Sequence, residues 1–196
     1  MKVYRITEKH FSLVIFMLLV YYGKGKGKTT AALGTALRAL GRGWRVLLIQ
    51  FMKSGASGEV YFLRSLPHTC RKRIYVVNVG IKEFVNPEDL SDYRASVTMA
   101  LIYGFLREVY PSLMRRLRPE LVIFDELGIA SHIGLVDEGL VLSILKKFVS
   151  NPQKHAIITG RYVPKTVRDI ADLVTEVKEV KHYYKKGFVN IEGLDI

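Results

Sequence analysis

The sequence predicts an α/β protein built on an open, mostly parallel sheet with helices on both faces. Three observations point there. Short apolar runs alternate along the chain with amphipathic segments. The first of those runs ends in a glycine–lysine loop, GKGKGKTT at 23–30. A later run, LVIF, ends in two adjacent acids, Asp125 and Glu126. In open parallel sheets ligands sit at the carboxyl ends of strands, so residues that follow strands are the informative ones.

The elements follow in order. Phe11–Tyr22 is nearly all apolar, as expected of a strand covered on both faces. Its twelve residues fall short of the ~20 that a membrane-spanning helix needs, and no small-residue cleavage site follows, so it does not read as a leader. Thr29–Leu40 reads as a helix, with Gly41 and Gly43 suited to its C-terminal cap. Trp44–Phe51 is the second strand, and Lys53–Glu59 a Gly/Ser loop. Ile74–Val79 is the third strand. Asn86-Pro87-Glu88-Asp89 has the capping Asn, early Pro and acids of a helix start, and the helix runs to about Tyr110, where Pro111 kinks or restarts it. Leu121–Asp125 is a strand. Asp137–Phe148 is a helix with Leu140, Val141, Ile144, Leu145 and Phe148 on one face. His155–Thr159 is a strand, Lys165–Ala171 a short helix, Leu173–Val177 a strand, and Phe188–Ile191 one more. No repeat or linker interrupts the 196 residues, so one domain is expected over 1–196.

Composition narrows the class. Hydrophobic residues make up 49% and charged residues 24%, which excludes a disordered chain. Cys70 is the single cysteine, so internal disulfides and paired-cysteine zinc sites are excluded, and a cytoplasmic location is expected. Lys and Arg exceed Asp and Glu by twelve. A basic surface suits nucleic acid or a polyanionic small molecule, and some basic chains are merely lysine-rich, so charge alone does not point to nucleic acid. The residues at 112–118 read as a solvated helix face, and His10, His68, His132 and His155 lack metal-ligand spacing.

The loop at 23–30 has its own chemistry. Glycines let successive N–H groups curl towards one anion, and the helix N-terminus that follows adds its positive end. Lys28 supplies a point charge, and the Thr29 hydroxyl is placed for Mg²⁺. The first glycine of the usual pattern is replaced by Tyr22, with Gly23 and Gly25 as alternative turning points. Asp125 and Glu126 complete a phosphate–metal pair of motifs, the P-loop NTPase (RecA-like) arrangement. On that reading Gly23, Lys24, Gly25, Lys26, Gly27, Lys28, Thr29, Thr30, Arg38 and Glu59 bind ATP, and Thr29, Asp125 and Glu126 hold the metal. Arg38 lies about 15 Å along the helix from Lys28. Arg161, in TGR after a strand, points to the ligand edge.

The chain resembles the ATP:corrinoid adenosyltransferases of the P-loop type. The resemblance rests on GKGKGKTTAALGTALRA at 23–39, IQFMK at 49–53, Gly58-Glu59, FDEL at 124–127, ITGR at 158–161, IADLVTEVKEVKH at 170–182 and the closing GFVNIEGLDI. The family also lacks the first loop glycine. The resemblance implies transfer of the 5′-deoxyadenosyl group of ATP to Co(I) of a reduced corrinoid, with triphosphate released. It implies Lys28, Glu126 and Arg161 as catalytic residues, with Glu126 the first metal ligand and Asp125 the second. It implies a homodimer and a flavoprotein reductase partner. Lys24 replaces the family's loop Asn. The family's G-F-T-W segment becomes Gly80-Ile81-Lys82-Glu83-Phe84, which leaves Phe84 as the corrinoid-facing aromatic, with His182 and Tyr184 as further candidates. Two other readings share these motifs: a RecA-like nucleic-acid-binding ATPase and a nucleoside kinase. The former lacks a stacking-aromatic and basic DNA loop, so nucleic acid is not expected as a partner. One related kinase class needs a cysteine zinc lasso that one Cys cannot build.

Overall fold

The computed structural model describes residues 16–53, 57–81, 90–149, 154–189 and 191–195. Its six strands are β1 (Leu18–Tyr22), β2 (Val46–Phe51), β3 (Ile74–Val79), β4 (Leu121–Asp125), β5 (His155–Gly160) and β6 (Leu173–Glu176). They form one sheet in the order β3-β2-β4-β5-β1-β6, and every pairing is parallel. Strand β5 therefore separates the strand that ends in the glycine–lysine loop from the strand that ends in Asp125.

Parallel strands covered on both faces should be apolar at every position. The central strands obey this except at Gln50 and Asp125, which are polar and buried. All six residues of β2 and all five of β4 are buried. Side chains alternate between faces. Val46, Leu48, Leu121, Ile123 and Ile157 meet α1 (Lys28–Gly41) through Ala32, Ala36 and Ala39, and α2 (Gly58–Ser65) through Leu63. Leu47, Ile49, Phe51, Val122, Phe124 and Ile158 meet the opposite layer. That layer holds α4 (Tyr93–Gly104), α5 (Tyr110–Leu117), α6 (Leu127–His132), α7 (Glu138–Val149) and Val167 of α8 (Lys165–Asp169). A short helix α3 (His68–Arg71) precedes β3.

Several expected boundaries move. Residues 11–15 and 86–89 lie outside the described residues. Helix α4 starts at Tyr93, where the Asp92 carboxylate accepts from the Arg94 N–H at 2.8 Å. It continues through a π-turn, Phe105–Val109, into α5. The wider turn falls just before Pro111, which lacks an N–H and whose ring crowds the carbonyl four residues back in a regular helix. Gly41 is the last residue of α1, and Gly43 (φ +81°) makes the left-handed turn after it. The stretch 112–118 is only partly solvated, because Leu117 is buried. No strand forms at 188, 189 or 191. A 3₁₀ turn, Tyr183–Lys186, and a turn over 192–195 take that place.

Helices α2, α3 and α6 were not expected. The Gly/Ser loop masks the start of α2, and its exposed Tyr61 and Phe62 blur the apolar stripe. Helix α6 follows β4 after one residue, so LVIFDELGIA reads as one apolar run.

Candidate active site

The carboxyl ends of β1, β2, β4 and β5 converge beside the N-terminus of α1. Gly27 (φ +112°) caps that helix in a left-handed conformation that a side chain rarely adopts. Gly23 (φ +116°) is needed for a second reason. A Cβ there would lie 2.4 Å from the Val177 carbonyl oxygen, because the loop runs against the chain leaving β6. The Gly25 N–H donates to that same carbonyl at 2.8 Å.

A cavity of about 700 Å³ opens above this loop. Lys26, Gly27, Lys28, Thr29, Thr30, Lys53, Glu59 and Glu126 line it, with Gly193, Leu194 and Asp195 at its rim. Beneath it lies a row of polar residues, one from each of four adjacent strands. Asn78 of β3 donates to Gln50 of β2 at 2.9 Å, and Gln50 donates to Asp125 of β4 at 3.2 Å. The Thr159 hydroxyl of β5 donates to Asp125 Oδ1 at 2.7 Å. The strand register puts Gln50 opposite both Asn78 and Asp125.

Asp125 is fully buried and collects further donors. The Thr29 hydroxyl reaches its Oδ1 at 2.9 Å, and Lys53 Nζ its Oδ2 at 2.8 Å. Burial pushes its pKa up, but the Lys53 charge and these hydrogen bonds outweigh that and hold it below the ordinary value. Glu126 differs. Its backbone is left-handed (φ +63°), which lifts its side chain out of the strand alternation, and its N–H donates to Thr159 Oγ1 at 2.9 Å. Burial first, and the Asp125 charge second, raise the Glu126 pKa. Asp125, not Glu126, sits on Thr29. A hydroxyl and two carboxylates are hard oxygen donors that suit Mg²⁺ shared with phosphate oxygens. Among the described residues no group of three or more His, Cys, Asp or Glu forms an all-protein metal cage.

Lys28 folds back on its own loop, donating to the Gly25 carbonyl at 2.8 Å. Burial chiefly lowers its pKa; Arg161 and Lys53 add to this, while Glu126 and Asp125 oppose it. Arg161 is exposed and its side chain does not line the cavity, but its carbonyl accepts from the Gly23 N–H at 3.2 Å. Lys26 is paired with Asp195 and donates to the Tyr183 hydroxyl at 2.9 Å, and Tyr183 in turn bonds Asp195.

Other expected residues sit elsewhere. Lys24 is exposed and does not line the cavity, nor do Gly23 and Gly25, which pack on backbone. Arg38 lines a separate hollow at the far end of α1 with Trp44 and His155. His182 accepts from the Tyr184 N–H through Nδ1 at 3.1 Å, capping the 3₁₀ turn, and Tyr184 is exposed. Phe84 lies outside the described residues. Sequence reasoning missed Gln50, Lys53, Asn78, Thr159 and Asp195. The first, third and fourth carry a signal in hindsight: each is the polar residue near the end of an apolar strand.

Comparison with known proteins agrees with this geometry. Residues 16–196 match the family model described as ATP:corrinoid adenosyltransferase BtuR/CobO/CobP. A corrinoid adenosyltransferase of Pseudomonas aeruginosa is 31% identical, over 91% of this chain and 83% of that protein. One from Escherichia coli K12 is also 31% identical, over 91% of this chain and 85% of that protein. A KaiC-like protein from Pyrococcus horikoshii shares the fold, with a TM-score of 0.52 and 16% identity, over 85% of this chain and 73% of that one.

Proposed function

The chain belongs to the ATP:corrinoid adenosyltransferase family, and on that premise we propose that its cavity binds ATP and transfers the 5′-deoxyadenosyl group to Co(I) of a reduced corrinoid. Co(I) attacks the 5′ carbon of ATP with its electron pair. The carbon–oxygen bond to the phosphate chain breaks, and triphosphate departs with that bond's electrons. The reaction asks little of protein acids and bases. It needs two reactants held in line and positive charge on a leaving group that carries about four negative charges.

The observation that carries the reading is the Thr29–Asp125 contact at 2.9 Å beside Lys28, on the floor of the cavity of about 700 Å³. Lys28 would exchange the Gly25 carbonyl for phosphate oxygens, and the loop N–H groups would share the rest. Thr29 and Asp125 would hold Mg²⁺, with Glu126 beside them. When bound, Mg²⁺ would neutralise part of the phosphate charge. Arg161 adds positive field at the loop. Residues 182–184 adjoin the loop through the Tyr183–Lys26 contact, which supports a corrinoid lying against His182 and Tyr184. A homodimer, a flavoprotein reductant and a cytoplasmic location complete the proposal, and rest on the family resemblance.

Anaerobic incubation with cob(I)alamin, ATP and Mg²⁺ tests it. Growth of a light-sensitive adenosylcobalamin spectrum with stoichiometric triphosphate is expected. Lys28→Ala should lower the rate by roughly 10²–10³-fold, as for loss of one charge-stabilising donor. ADP as the product, stimulated by DNA, would instead mark a nucleic-acid ATPase.

A further inference from the structure

Lys53 follows β2, and three features of the fold aim it into the cavity. In β2, Leu47, Ile49 and Phe51 face away from α1, while Val46 and Leu48 face towards it. A continuing strand would send Met52 towards α1 and Lys53 away. The reverse occurs. Met52 takes a left-handed backbone (φ +57°), a conformation uncommon for residues other than glycine. Its side chain packs with the layer opposite α1, and Lys53 swings to the α1 face, where Nζ meets Asp125. Gly80 keeps this turn in place. A Cβ at 80 would lie 2.6 Å from Lys53 N and 2.8 Å from the Met52 carbonyl carbon.

We propose that Lys53 is a second triphosphate-binding lysine, which leaves Asp125 when the nucleotide enters and pairs with the phosphate chain alongside Lys28. The inference deepens the ATP reading of this cavity and rests on it. Lys53 lines the same space as Lys28, Thr29 and Glu126, and its side chain is 31% exposed, so the ammonium has a path from Asp125 to a ligand. The two lysines are parked alike, one on a loop carbonyl and one on a carboxylate. The first acceptor is a neutral carbonyl and the second a single carboxylate, whereas a triphosphate offers several anionic oxygens to both lysines at once. Bringing Lys53 across also frees Asp125 Oδ2, on the acid that touches Thr29.

Calorimetric titration with inorganic triphosphate, and separately with adenosine, tests this without any turnover. Lys53→Met should weaken triphosphate by roughly 10- to 100-fold, the value of one charge-assisted hydrogen bond, and leave adenosine within about twofold. Lys53→Arg should recover most of the loss, because it keeps the charge. A purely structural partner of Asp125 would shift both ligands together. Triphosphate binding unchanged in Lys53→Met but lost in Lys28→Ala would overturn the inference and leave the phosphate reading standing. Binding unchanged in both variants would overturn the phosphate reading as well. Should Lys53→Met fail to fold, amine acetylation of the wild-type protein decides: triphosphate must protect Lys53 as it protects Lys28, and an unprotected Lys53 refutes the proposal.

Discussion

Thr159 is buried, and its one hydroxyl serves two neighbours. It donates to Asp125 and accepts from the Glu126 N–H. Thr159→Val keeps the shape and removes both bonds. It should cost about 1–3 kcal/mol, the penalty of a buried unsatisfied group, or roughly 2–12 °C in Tm for a chain of this length. Thermal denaturation checks this. His155 offers a pH test. It stacks on Trp44 with centroids 4.9 Å apart and planes 3° from parallel, and burial lowers its pKa below 6.5. A base depressed in the folded state binds its proton more readily when unfolded. Its stabilising contribution is therefore full above pH ~6.5 and declines as pH falls from there towards the folded value. Because Trp44 is the sole tryptophan, its fluorescence should titrate with a midpoint below 6.5, and His155→Phe should abolish that titration.

Elements impose a different kind of constraint. The phosphate loop is held between α1 and the backbone at 177–178, and Gly23 is the point of closest approach. Gly23→Ala adds a Cβ at a left-handed φ against a carbonyl. The expected result is a loss of about 1–3 kcal/mol together with weakened nucleotide binding, measured by denaturant titration and calorimetry. The turn at 192–195 acts on the same loop from the other side, through Asp195 and Lys26. Asp195→Asn removes the charge that occupies Lys26. It should tighten inorganic triphosphate binding a few-fold while moving Tm little, since half-exposed ion pairs contribute only ~0–1 kcal/mol. Unchanged or weaker binding would show that Lys26 is unavailable to phosphate.

Across the whole molecule, burial is steeply graded from sheet centre to edge. Every residue of β2 and β4 is buried, whereas all four of β6 are exposed. Amide hydrogen exchange should accordingly be slowest in β2 and β4 and fastest in β6, with protection differing by orders of magnitude. Uniform protection would contradict a core centred on β4. The site straddles this gradient. Asp125 and Gln50 stand on the buried centre, while the glycine–lysine loop leans on the chain leaving the edge strand. Among the described residues no helix is long and apolar enough to cross a membrane.

The six strands, the glycine–lysine loop and the two acids were legible in the sequence because each is local. Apolar runs of strand length bounded by turn residues need no partner to be recognised, and neither does a motif whose glycines and lysine lie within eight residues. The site's other half depends on contacts between residues distant in the chain. Gln50, Asn78, Asp125 and Thr159 form one row only because parallel strands place them in register. Lys53 faces the cavity only because Met52 reverses the alternation, and nothing in IQFMK announces a left-handed methionine. The same holds for the two acids. Chain order makes Asp125 and Glu126 equivalent neighbours, but strand geometry buries one on Thr29 and a left-handed backbone lifts the other into the cavity. Periodicity and composition report which atoms are available. Register, strain and packing choose which of them meet, because those are properties of several segments at once.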